Sequence, residues 1–236
     1  MEIKAIGHIR TPYGEKFGIP RQSNLVRSLE ACVVLEPEYR DAQALRGIED
    51  FEYIWLIWEF SAHAGSGWSP TVRPPRLGGN RRMGVFATRS PFRPNALGLS
   101  SVRLKRVEWQ TAEGPVLHVS GADLMDGTPI YDIKPYLPYT DAHADARSGF
   151  ASEAPEARLQ VECAEELMAT VTPELRLALR ETLAQDPRPR YHDDATREYG
   201  MHFFSYEVKF KVHDDNVLEI VNIFNTEKTQ RKREDV

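Results

Sequence analysis

LSSVRLKRVEW, residues 99–109, is the stretch on which the fold turns. Val102, Leu104 and Val107 interleave with Arg103, Lys105 and Arg106, a mixture of apolar and charged residues that reads as a strand. Working outward, further strands are expected over 3–9, 31–35, 52–60, 83–88, 116–123 and 130–134, separated by glycine and proline turns. A short helix over 41–48, with Asp41 as its N-cap, is the one interruption. There is no βαβ rhythm and no GxGxxG, so a Rossmann fold is disfavoured and a barrel or sandwich is predicted.

After residue 140 the character changes. DAHADARSGFASEAPEA, residues 141–157, is small, polar and turn-rich, and reads as a linker. Beyond it a strand is expected over 158–163. Thr172-Pro173-Glu174 then opens a helix with Leu175, Leu179 and Leu183 on one stripe. Residues 202–212 alternate as one strand, with Phe204, Tyr206, Val208, Phe210 and Val212 on one face, and Asp214-Asp215-Asn216 turns it back into 217–224. The tail 227–236 is expected to fray. The predicted protein is mainly β: a single β-barrel domain at 1–140, a linker at 141–157 and a small α+β C-terminal domain at 158–236.

The chain has 236 residues, 41% hydrophobic and 28% charged, as in ordinary globular proteins. It has no apolar run of membrane-spanning length, and its start, MEIKAIGHIR, does not resemble a secretory signal. Cys32 and Cys163 are far apart in alternating segments and read as core thiols, so a cytoplasmic setting is expected. The net charge of −5 conceals a segment of opposite sign. Residues 60–107 contain no Asp or Glu and nine basic residues, eight of them arginine, which leaves −14 for the rest. Arginine's planar fork suits phosphates and carboxylates, so this segment reads as an anion-binding face.

Three irregular stretches carry the candidate chemistry. Gly18-Ile19-Pro20-Arg21-Gln22 presents Arg and Gln side by side in a turn. Residues 73–100, RPPRLGGNRRMGVFATRSPFRPNALGLS, hold six arginines on a proline-restricted backbone, which lowers the entropic cost of a preformed anion site. The third, residues 123–136, contains Asp123, Asp126 and Asp132 around an Asp126-Gly127 turn. It lacks EF-hand spacing and any histidine, so no metal is expected; a carboxylate accepting from a ligand's ammonium or amino group is the better reading. No GxSxG or HExxH occurs. His63, just after the 52–60 strand, is a candidate for its functional rim, beside the reading of an ordinary structural histidine.

Together PRQ at 20–22, RPPRLGGN at 73–80, RSPFRPNALGLS at 89–100 and DGTPIYDIKPY at 126–136 resemble the signature of the TsaA-like, or TrmO, family. DPRP at 186–189 with Tyr191 is similar to the C-terminal domain of its longer members. The resemblance implies a β-barrel methyltransferase that uses S-adenosylmethionine and works as a homodimer, with cofactor near the subunit interface. The implied reaction is N6-methylation of the threonylcarbamoyl-adenosine at position 37 of tRNA, in the anticodon arm. The implied cofactor positions are Pro20, Arg21, Gln22, Phe60, Ser61, Arg89, Leu99, Asp123, Leu124, Met125 and Asp126. Two positions depart from the pattern: Ala96 replaces a common proline and Ser61 a common histidine.

The substrate nitrogen is urea-like, so a base that removes its proton would assist. Asp126 is the first candidate and Tyr136 the second. Arg73, Arg76, Arg81, Arg82 and Arg93 are expected to hold tRNA phosphates. Arg188, Arg190 and Tyr191 are expected tRNA contacts of the C-terminal domain. A chain ending near Asp145 should therefore keep the cofactor and lose much methylation. The rival readings are a non-enzymatic S-adenosylmethionine-binding sensor or adaptor, and a plain RNA-binding barrel with no cofactor.

Overall fold

The computed structural model describes residues 2–63, 65, 67–152, 159–188, 194 and 196–226. Six antiparallel strands close into a barrel in the order β1-β2-β7-β6-β3-β8. They are β1 (Gly7–Arg10), β2 (Glu30–Leu35), β3 (Tyr53–Glu59), β6 (Leu97–Glu108), β7 (Val116–Ser120) and β8 (Pro129–Pro135). β4 (Thr71–Val72) and β5 (Met83–Gly84) form a separate two-stranded ribbon. In β6 the alternation holds as far as Leu104, which is buried in the barrel core with Val102, Ile54, Leu56 and Leu117. Val107, out of period, joins them because the register shifts between Leu104 and Arg106 and leaves Lys105 as the extra residue of a bulge. Closure leaves the barrel no free edge.

Local chemistry moves several boundaries. The expected strand over 83–88 stops at Gly84 and becomes a 3-10 turn, Val85–Ala87, where Thr88 Oγ1 donates to the Val85 carbonyl. Asp41 does cap, accepting from the Gln43 amide at 2.9 Å, but the turn it starts is a short 3-10 segment, Ala42–Leu45. In β8 the register jumps from Ile57↔Asp132 to Trp58↔Ile130, leaving Tyr131 as the extra residue of a bulge. Ile130 and Ile133, three apart, can then both pack on the core.

The second layer is a four-stranded sheet, β10-β11-β12-β9, with β9 (Gln160–Glu162), β10 (Tyr199–Phe203), β11 (Tyr206–Val212) and β12 (Val217–Asn225). Among the described residues the α-helices are α1 (Pro138–Asp141), α2 (Glu165–Ala169) and α3 (Pro173–Ala184). Leu179 and Leu183 of α3 are fully buried, as their stripe predicts, with Leu175 at the margin. Thr172 does not cap α3 through its side chain; its hydroxyl instead bonds the Tyr206 hydroxyl at 2.9 Å. The single strand expected over 202–212 is two, because Phe204 takes a left-handed φ of 53° and turns the chain; its ring is left exposed. Tyr206, Val208, Phe210 and Val212 still alternate into the core. The tail 227–236 lies outside the described residues.

One feature of the packing was not legible in the sequence. The connection from β1 to β2 leaves the barrel and packs against the second layer. Tyr13, Val26 and Leu29 are buried in the same cluster as Leu179, Met201 and Phe203, with Phe17 and Ile19 beside them. The Tyr13 hydroxyl meets Thr182 Oγ1 at 3.2 Å, Ser28 Oγ donates to Glu181 at 2.9 Å, and the Phe204 amide donates to the Pro12 carbonyl. Gly18, at φ 93°, brings its backbone so near Met201 that a Cβ there would sit 2.5 Å from the sulfur.

Candidate functional site

A cavity of about 450 Å³ opens at the barrel rim where β3 ends and β6 begins. Five separated segments meet there. Pro20, Arg21 and Gln22 arrive on the β1–β2 connection, Phe60 and Ser61 follow β3, and Arg89 comes from the arginine-rich segment; Leu99 lies on β6, and Asp123 and Met125 follow β7. These are the expected cofactor residues except Leu124 and Asp126. The Leu124 side chain is 1% exposed in the barrel core. Asp126 is exposed and ties two segments together: Oδ1 accepts from the Thr11 amide at 2.9 Å, and its own amide donates to the Tyr13 carbonyl.

The cavity also contains residues that sequence reasoning passed over: Trp55, Trp58, Glu59 and Ser100. Trp58 reaches its place because Gly98, opposite it on β6, has no side chain; a Cβ there would meet the indole at 2.2 Å. Trp58 Nε1 donates to Ser100 Oγ at 3.0 Å, and that hydroxyl in turn donates a hydrogen bond to Asp123 Oδ1 at 2.6 Å. Burial pushes the Asp123 carboxyl up to about 6, against the opposing effect of the Ser100 hydrogen bond. A carboxylate desolvated to this degree gains from a cation arriving beside it. The one legible signal for these residues was the alternation in 53–59, which sends Trp58 inward and Glu59 outward at the strand's functional end.

Arg89 donates through Nη1 to Gln22 Oε1, joining two of the expected cofactor segments across the cavity. His63 lines the cavity as well, edge-on to Phe92 with centroids 5.4 Å apart. Burial, helped by Lys16, lowers its pKa, which favours the neutral ring. Tyr136, the second candidate base, stands outside the lining and packs against Trp55 and Tyr53 at 5.5 and 6.2 Å.

The arginines divide by position. Arg103 and Arg106 on β6 pair with Glu52 and Glu30 and so serve an ordinary solvated face. Arg93 lines the cavity but spends Nη1 on the Thr88 carbonyl at 2.7 Å, bracing the turn before it. Arg82 donates to Thr71 Oγ1 across the ribbon at 3.2 Å. Arg73, Arg76 and Arg81, between β4 and β5, have no ion pair among the described residues. Among the described residues, no group of three His, Cys, Asp or Glu side chains could hold a metal ion, and no helix is long and apolar enough to cross a membrane. Cys32 and Cys163 are free thiols. Arg188 is held by Asp186 at 2.9 Å, while Arg190 and Tyr191 lie outside the described residues.

A closed antiparallel barrel with a mostly apolar, carboxylate-bearing cavity at its rim defines a barrel with a site for a small ligand. Residues 8–142 match the family model of the tRNA-methyltransferase O N-terminal domain, and residues 155–226 match that of the TrmO C-terminal domain. The chain is 43% identical over 221 residues to the Escherichia coli tRNA (adenine(37)-N6)-methyltransferase, covering 90% of this chain and 94% of the relative. It is 53% identical over 163 residues to the enzyme of that name from Eikenella corrodens, covering 69% and 91%. A crystal structure of TrmO from Pseudomonas aeruginosa superposes with a TM-score of 0.75 at 33% identity, over 95% of this chain and 98% of that one. The chain belongs to the TrmO family.

Proposed function

We propose that this chain transfers the methyl group of S-adenosylmethionine to N6 of the adenosine at position 37 of tRNA, with the threonylcarbamoyl-modified nucleoside as substrate. The carrying observation is the rim cavity, which gathers Pro20, Arg21, Gln22, Phe60, Ser61, Arg89, Leu99, Asp123 and Met125 from five segments. Its size suits a nucleoside-sized ligand. Its chemistry suits this one: Asp123 for a positive centre, Arg21 and the Arg89–Gln22 pair for a carboxylate, and Ile19, Trp58, Leu99 and Met125 for a purine ring. S-adenosylmethionine supplies a methyl carbon on a sulfonium whose departure needs no proton. The chain's own work is to hold the nucleophile about 3 Å from that carbon and to exclude water. A base in the anticodon loop can be splayed into the cavity more cheaply than a paired one.

The same proposal includes a homodimer, supported by Leu97 and Leu99, apolar residues of the cavity lining that stay exposed and that a second copy would cover. It also includes a cytoplasmic setting and a division into a barrel at 1–140, a linker at 141–157 and a tRNA-facing region at 158–236. In a strain lacking this chain, tRNA nucleosides analysed by mass spectrometry should lose the N6-methyl form of the modified adenosine. Its undiminished presence would count against the activity.

Two further outcomes are expected. Arg89→Ala should weaken S-adenosylmethionine binding by about 1.5 kcal/mol, the usual loss for a hydrogen bond with a charged partner. Parental affinity in calorimetry would remove Arg89 from the site. tRNA affinity should fall steeply between low and physiological salt, because Arg73, Arg76 and Arg81 would displace counterions from phosphates. A flat salt dependence in filter binding would dismiss the ribbon as a phosphate-binding face.

A further inference from the structure

We infer that Glu59 is the group that takes the proton from the exocyclic nitrogen methylated in the rim cavity, and that Tyr131, aimed by the bulge in β8, positions it. The inference rests on the reaction proposed above. An amide-like or amino nitrogen attached to a purine delocalises its lone pair, so its methylation gains from a base within hydrogen-bond reach. Asp126 and Tyr136, the bases expected from sequence, do not line the cavity.

Two carboxylates do line it, Asp123 and Glu59. Asp123 is already engaged at the barrel mouth by the Ser100 hydroxyl and by the backbone amide of Ser23. Glu59 ends β3 on the outward-facing register, directly before Phe60 and Ser61. One of its oxygens, Oε2, accepts from the Tyr131 hydroxyl at 2.7 Å. The other has no hydrogen-bond partner among the described residues. His63 could also accept a proton, but no hydrogen bond among the described residues holds its ring in place. Glu59 alone combines a place in the cavity, an orienting partner and an open oxygen, the arrangement of a base held by a third group.

The bulge explains why Tyr131 is there. A regular β8 would alternate residue 131 against a partner on β3; the extra residue instead leaves Tyr131 unpaired and turns it toward Glu59. Bulges beside functional sites commonly re-aim one side chain in this way. Burial and the adjacent carboxylate hold the Tyr131 hydroxyl up at about 12, so it stays a donor at neutral pH and does not compete for the substrate's proton. The step balances. The N–H proton moves to Glu59, the nitrogen bonds the methyl carbon, and the carbon–sulfur electron pair remains on sulfur as a neutral thioether. Glu59 returns its proton to water.

The test uses the full chain with Glu59→Gln and Tyr131→Phe, after thermal melts establish that each variant is folded. Glu59→Gln should slow single-turnover methylation roughly a hundred- to ten-thousand-fold, with the dissociation constants for S-adenosylmethionine and tRNA within about threefold of the parent. Its residual rate should rise about tenfold per pH unit, as hydroxide takes over from the missing base. Tyr131→Phe should lower kcat about tenfold with KM for tRNA unchanged. A Glu59→Gln rate within threefold of the parent overturns the inference. So does a loss of S-adenosylmethionine affinity that matches the loss of rate, which would make Glu59 a cofactor contact. If the parent chain methylates no tRNA, the proposed function fails first; if it does and Glu59→Gln keeps pace, only this inference falls.

Discussion

A chain ending at Asp145 is expected to lose S-adenosylmethionine binding, not merely tRNA methylation. Sequence reasoning pointed the other way, because every cofactor-like motif precedes residue 140. The structure reverses that expectation through the β1–β2 connection. Tyr13, Val26 and Leu29 are buried against α3 and the second sheet, in the cluster that contains Leu179 and Phe203. Exposing each such side chain costs about 1.5–3 kcal/mol, and the Tyr13–Thr182 and Ser28–Glu181 hydrogen bonds go with them. The segment released carries Pro20, Arg21 and Gln22 into the cavity. Titration of the shortened chain should therefore show affinity weakened at least about a hundredfold, the scale set by a loss near 3 kcal/mol. A shortened chain with a folded barrel by circular dichroism and parental affinity would show that the second layer does not support the cofactor loop.

Asp123→Asn should reduce S-adenosylmethionine affinity by about 2 kcal/mol, roughly thirtyfold, while leaving the free protein as stable as before or more so. The reason is the position of its pKa. The unfolded chain releases this proton near 3.8 and the folded chain near 6. The folded state thus binds the proton more tightly, so this group adds stability as pH falls from about 7 toward 4 and opposes folding above that window. Asn removes the opposition along with the charge. Ligand binding should run with the opposite sign: below about 6 the carboxyl is protonated and must shed its proton to meet a cation, so parental affinity falls with pH. Calorimetry across pH 5–8 distinguishes the cases. An Asn variant with parental affinity, or a parent whose affinity is flat through pH 6, would remove Asp123 from the cation's place.

Much of the barrel was legible because several strands carry their own period, as Ile54, Leu56 and Trp58 do on β3. The failures share a different cause. Phe204 sits in an alternating run, yet a left-handed turn there divides the expected strand into β10 and β11. The 83–88 strand ends where Thr88 finds a local carbonyl. Leu124 and Asp126 belong to the right motif, but one points into the core and the other clamps Thr11, and composition cannot tell which way a turn residue faces. Tyr131 becomes meaningful only through a register shift between two strands far apart in sequence. The packing of Tyr13 and Val26 on α3 is tertiary in the same sense.

The central claim is tested most directly by one incubation: purified chain, S-adenosylmethionine labelled in its methyl group, and tRNA with or without the threonylcarbamoyl group, followed by digestion and identification of the labelled nucleoside. The account predicts label on N6 of the threonylcarbamoyl-modified adenosine from position 37, and little or none from the unmodified tRNA. Label at another nucleoside, or tightly retained S-adenosylmethionine with no transfer to either tRNA, would contradict it and favour a cofactor-sensing role for the same barrel.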